Sequence, residues 1–157
     1  MLLLPVAAAA QRPAGLTPLS DADFLYDGHP PPAQVELGRL LFYDKVLSGN
    51  RNISCATCHH PAHETGDGLP VSVGEGGEAL GVSRTPGHGA EGIVMRVGRN
   101  AQPLFNLGAR QFTTLFHDGR VEVDPRDPSQ ILTPVGDALP DGLENILAAQ
   151  ALFPVVA

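Results

Sequence analysis

Cys55-Ala-Thr-Cys-His59 is the stretch on which the reading of this chain turns. It holds both cysteines of the sequence, and a histidine directly follows the second. C-x-x-C-H is the attachment signature of c-type haem. Each thiol adds across a vinyl group of the porphyrin, and the adjacent imidazole then lies under the ring as an axial ligand to iron. One short helical turn must therefore carry two thioethers and one Fe–N bond, which fixes the spacing. On this reading Cys55 and Cys58 attach haem c and His59 ligates its iron.

Other chemistries share the spacing. A thioredoxin-like dithiol belongs to a βαβ setting, and none is visible upstream. A structural zinc site needs two more ligands at workable distance. His59, His60 and His63 crowd one loop and lack the long connection of a zinc finger.

The rest of the composition agrees with haem. The chain has 157 residues, enough for one domain with a modest core. Trp is absent and aromatics make up 5%. A porphyrin would supply apolar mass that large side chains usually provide. The 18 glycines and 15 prolines predict short helices joined by long irregular loops. A net charge of −7 argues against nucleic acid and anionic membrane as partners.

Residues 1–11 resemble the end of a secretory leader, apolar and then alanine-rich, although the basic n-region is missing. No stretch has the length of a membrane-spanning helix. Haem c is attached outside the cytoplasm in bacteria, so motif and leader both point to the periplasm. Residues 12–32 are Pro-rich and read as extended. From there a haem domain is expected over 33–157. Ala33, Leu37, Leu40 and Leu41 form one apolar stripe of a first helix, with Pro32 in its first turn. A second helix should run from about Ile53 to His60, with Pro61 stopping it. Residues 62–102 read as a long loop around the haem, with room for one short helix. Residues 103–120 predict a brief helix and a turn, followed by a turn cluster at Asp124–Pro128. A last helix should start at an Asp141/Glu144 capping box, place Leu143, Ile146, Leu147 and Gln150 on one face, and end at Pro154.

Several segments, in order, resemble the bacterial dihaem cytochrome c peroxidase/MauG family. They are Glu36-Leu-Gly-Arg-Leu-Leu-Phe-Tyr-Asp44, Leu47-Ser-Gly-Asn50, Ile53-Ser-Cys-Ala-Thr-Cys-His59, Arg99-Asn-Ala-Gln-Pro-Leu-Phe-Asn106 and Phe116-His-Asp-Gly-Arg120. Leu107-Gly108 and Ala148–Pro154 look closest to its MbnH-like branch, which oxidises tryptophan in a partner protein. The resemblance implies an all-α, cytochrome c-like fold. It also implies a peroxidatic N-terminal haem domain that reacts with hydrogen peroxide and receives electrons from a redox partner or a protein substrate. Family members carry a second, electron-transfer haem in a C-terminal domain. This chain has one C-x-x-C-H and ends just before the family's Glu-Met pair, so it is expected to be a fragment.

The resemblance also suggests individual roles. Gly74-Glu75-Gly76 matches a Gly-His-Gly segment whose histidine can occupy the sixth iron position. Glu75 in its place implies an open site, with the carboxylate as a distal acid/base. Arg99 matches a residue able to neutralise a haem propionate. Asn100 matches an asparagine that helps hold calcium between the haem domains. His117 stands where the family usually has Trp. The competing reading is a mono-haem electron-transfer cytochrome c with Met95 or His88 as sixth ligand.

Overall fold

A computed structural model describes residues 17–93 and 95–156. The proposed leader lies outside the described residues. After two 3-10 turns, Asp21–Asp23 and Leu25–Gly28, the first helix, α1, spans Pro32–Tyr43. Proline at its start costs nothing there, because the first N–H groups of a helix have no partner in any case. The predicted helix is present, but no residue in it is buried. Leu37, Leu40 and Leu41 of its stripe are 57%, 52% and 39% exposed, so the described residues leave that stripe largely uncovered. α2 is a single turn, Cys55–Cys58, packed beside α1 and shorter than predicted.

The expected all-α fold is corrected by a three-stranded antiparallel sheet of order β1-β2-β3. The strands are β1 (Thr114–Leu115), β2 (Val121–Val123) and β3 (Ile131–Leu132). Leu115 pairs with Val121, and Val123 with Ile131. The predicted helix-and-turn over 103–120 gives way to a strand entering a hairpin. Phe116 and Gly119 hold left-handed backbone (φ 64° and 69°) and reverse the chain. The Asp124–Pro128 cluster becomes the link between β2 and β3, closed by Asp124 N–H on Gln130 O at 2.9 Å. Val and Ile at these positions suit a half-buried pleated surface.

The last helix, α3, runs over Ile146–Val156, not from Asp141. Gly142 at φ 75° breaks any helix beginning there. Asn145 is the capping residue instead, its Oδ1 accepting Ala148 N–H at 2.8 Å. The backbone stays helical through Pro154, which forgoes one hydrogen bond near the helix end without stopping it. Leu115, Val121, Ile146 and Ala149 form the core, backed by Phe116, Val123, Ile131, Leu139, Leu143 and Leu147. This core sits between the sheet and α3. Around Cys55–His59, by contrast, the chain is held mainly by loops and hydrogen bonds.

Candidate haem-attachment site

Ser54 and Thr57 open the site. Ser54 N–H donates to Thr57 Oγ1 and Thr57 N–H to Ser54 O, both at 2.9 Å. These bonds wind one tight turn with Ala56 and Thr57 buried beneath it. Cys55 is exposed and Cys58 partly buried, three residues apart and so on one side of the turn. His59 N–H still donates to Cys55 O, but its own backbone (φ −118°, ψ 54°) leaves the helix and aims the ring elsewhere.

Residues 60–66 then fold back. Pro61–His63 make a 3-10 turn, and His60 bridges Gly66. Glu64 and Thr65 both adopt left-handed backbone (φ 54° and 60°). The reversal sets the Thr65 carbonyl 3.1 Å from His59 Nδ1. A second carbonyl, that of Gln102, lies 3.1 Å from the same nitrogen. Carbonyl oxygens only accept, so Nδ1 must carry the proton and donate to them. In the neutral ring the lone pair is then confined to Nε2. An orienting hydrogen bond on one ring nitrogen that leaves the other free is how proteins present a histidine to a metal.

The carbonyls are themselves held. Leu104 N–H donates to Thr65 Oγ1 at 2.7 Å, joining the 60–66 reversal to the 101–104 strand of loop. Buried Ser72 takes Val97 N–H on its carbonyl and Ala101 N–H on its Oγ, both at 3.0 Å. Gly81, at φ 57°, leaves room for the His63 ring: a β-carbon there would lie 2.0 Å from His63 Nε2.

These donors suit haem c better than the alternatives. Burial pushes the Cys58 thiol above its usual range, with Asp67 adding and Arg84 opposing. A protonated thiol is a poor nucleophile and a poor zinc ligand. Among the described residues no three His, Cys, Asp or Glu side chains are grouped to hold a metal ion.

Comparison with known proteins agrees. Residues 32–157 match the family described as di-haem cytochrome c peroxidase. The chain belongs to that family. It is 34% identical over 147 residues to the methylamine utilization protein MauG of Paracoccus denitrificans, covering 89% of this chain and 33% of that protein. Against the cytochrome c551 peroxidase of Pseudomonas aeruginosa it is 38% identical over 78 residues, 38% of this chain and 22% of that one. It is also 54% identical over 43 residues to cytochrome-c peroxidase IdrP2 of Pseudomonas sp. strain SCT, 27% of this chain and 12% of that one. The chain thus spans about a third of the length of MauG. No solved structure matches it. Membership in a di-haem family implies haem c.

The remaining predicted residues of this peroxidase-family chain lie around the site rather than in one cluster. Glu75 faces the 48–50 turn: Asn50 N–H donates to its Oε1, and a β-carbon on Gly49 would come within 3.4 Å of both carboxylate oxygens. Gly76 N–H donates to Asn52 Oδ1 at 3.2 Å, a second tie across the same gap. Arg99 and Asn100 are exposed, just before the segment that reaches His59. Met95 is 83% exposed, and His88 pairs with Glu78 at 3.3 Å on the surface. His117 is half-exposed beside Asp118. No helix among the described residues is long and apolar enough to cross a membrane.

Sequence reasoning missed Thr65, Gln102, Ser72 and Arg84. Thr65 and Gln102 act through backbone carbonyls, which leave no residue signature. Arg84 is 5% exposed and donates to three carbonyls: Val73 at 2.8 Å, Ala79 at 2.8 Å and Gly74 at 2.9 Å. It thereby braces the loop that carries Glu75.

Proposed function

We propose that this chain is the peroxidatic haem domain of a periplasmic di-haem oxidoreductase that reacts with hydrogen peroxide. Cys55 and Cys58 attach haem c, and His59 binds its iron through Nε2. The observation that carries this reading is the donation of His59 Nδ1 to the Thr65 and Gln102 carbonyls, which leaves Nε2 as the one basic ring nitrogen. When bound, haem c would supply the iron centre at which peroxide is reduced.

The chain's own residues have separate tasks. The two carbonyls hold the His59 ring and make its imidazole a stronger donor. Glu75 serves as the distal acid/base that moves a proton of peroxide. Its loop is held by Arg84 on one side and by Asn50 and Asn52 on the other. Arg99, exposed and near the 101–104 segment, neutralises a haem propionate through its paired N–H donors. Asn100 on its own does not make a calcium site, because calcium takes six to eight oxygen ligands. Any such site would need donors from the second haem domain. Electrons come from that second haem, from a redox partner or from an oxidised protein substrate. The surface positions of Met95 and His88 support an open sixth site over the mono-haem electron-transfer reading.

Rapid mixing of the full-length, haem-loaded protein with hydrogen peroxide tests this. The haem at Cys55 and Cys58 should react, and Glu75→Gln should slow the reaction by about 100-fold. A six-coordinate haem there, inert to peroxide in both redox states, would sink the proposal.

A further inference from the structure

A cavity of about 500 Å³ opens behind the haem-attachment turn. Ala56 and Thr57, both buried, line its floor. Cys55 and Cys58 share the other side of α2, because helix neighbours one or two positions apart do not face the same way. The cavity is therefore separate from the side on which the two thiols would carry a porphyrin.

Its walls are rich in hydrogen-bond donors. Lys45, exposed, and Arg84, buried, supply two cations. Arg39, Arg110, Arg120 and Arg126 each sit against a carboxylate, whereas among the described residues Lys45 and Arg84 make no contact ion pair. Asp67 acts on Arg84 only from beyond contact distance. The carbonyls of Val73, Gly74 and Ala79 each take one N–H of the Arg84 guanidinium, and its other N–H groups are left to donate. Asn52 Oδ1 accepts Gly76 N–H, so the Asn52 NH2 group is also left to donate. Tyr43 adds a hydroxyl. Glu78 is the one carboxylate in the lining, and it pairs with His88 at 3.3 Å.

We propose that this cavity binds a small organic monoanion, a carboxylate with an apolar body, between Lys45 and Arg84. Two cations against one carboxylate leave a single positive charge to be matched. The volume is larger than an inorganic ion needs, and Leu80, Ala79 and the Tyr43 ring offer apolar surface to the rest of the ligand. An apolar cavity of this size with a few converging polar groups is the usual form of a small-molecule site. Charge-assisted hydrogen bonds are the strong ones, and a buried guanidinium makes them where water screens poorly. The chain as a whole has 17 acidic against 10 basic residues, so its overall field repels anions and the attraction must be local.

Calorimetric titration of the full-length, haem-loaded protein with benzoate tests the idea, with benzyl alcohol as the uncharged probe of similar shape. Benzoate should bind saturably at one site, and benzyl alcohol at least tenfold more weakly. Lys45→Gln, a change at an exposed position, should weaken benzoate about tenfold, the usual worth of a hydrogen bond to a charged group. Arg96→Gln removes an exposed cation outside the cavity and should leave the affinity unchanged. Equal losses in the two variants would mean attraction by surface charge alone and would overturn the proposal. So would equal affinity for the two probes, or benzoate binding that Lys45→Gln leaves intact. A propionate of the protein's own haem is the other source of a carboxylate. If it fills the cavity, the haem-loaded protein takes up no benzoate, and the proposal fails.

Discussion

His59 Nδ1 lies 3.1 Å from the carbonyl oxygen of Gln102, a residue 43 positions further along the chain. The long loop between them is therefore not slack. It returns to the haem motif and fixes the tautomer of its histidine. The tie depends on Thr65, whose carbonyl takes the same proton and whose Oγ1 receives Leu104 N–H. Thr65→Val keeps the shape but strands that N–H. Urea unfolding of the haem-loaded protein should show a loss of about 1–3 kcal/mol, the usual cost of an unsatisfied, part-buried donor. The Fe–His stretching band should broaden as the ring loosens.

Gly81 and His63 form a second tie. Gly81→Ala combines left-handed backbone strain with a collision against the His63 ring. It should cost more than about 2 kcal/mol in unfolding measurements. In a His63→Ala background only the backbone strain remains, so the penalty should fall to about 1 kcal/mol. Additive effects of the two substitutions would refute the contact.

Asp118 and Arg120 brace the β1–β2 hairpin. The Arg120 guanidinium, 2.6–2.9 Å from the Asp118 carboxylate, holds that carboxyl down at about 2. Its folded value lies below its unfolded one. The stabilisation is therefore present above the ordinary carboxylate range and is lost as the pH falls through about 2. Carbon-detected NMR titration should place Asp118 near 2, and Arg120→Gln should return it toward 3.8.

Tyr26 and Glu144 close the molecule at the other end. Their side chains meet at 2.5 Å across 118 residues, and Tyr26 holds left-handed backbone at φ 53° in doing so. The bond to Glu144 raises the phenol above the usual tyrosine range. Because the folded value is the higher one, the contact stabilises below the ordinary tyrosine range and is lost as the pH rises through the folded value. Ultraviolet titration should show Tyr26 ionising above the usual tyrosine range, and Glu144→Gln should return it toward that range.

The haem motif and α1 were legible because both are local patterns. Cys55–His59 is a fixed spacing, and Leu37, Leu40 and Leu41 repeat at helical period. The sheet was not legible. Its strands are two or three residues long, too short for alternation to register, and their pairing is set by the turns at Phe116–Gly119 and Asp124–Gln130. Asp141 and Glu144 have capping-box spacing, but left-handed Gly142 hands the cap of α3 to Asn145. Within the site, the partners of His59 are main-chain carbonyls that any residue could supply. Asp67 falls within the 62–102 loop, and only the fold reveals that it is buried.

Peptide mass spectrometry of the protein matured in a periplasm with cytochrome c assembly machinery bears most directly on the central claim. Trypsin releases one peptide, Asn52–Arg84, containing Cys55, Cys58 and His59. That peptide should carry the full mass of one haem, held through two thioethers and resistant to acid-acetone extraction. Two free thiols, a Cys55–Cys58 disulfide or a bound zinc on the same peptide would contradict it.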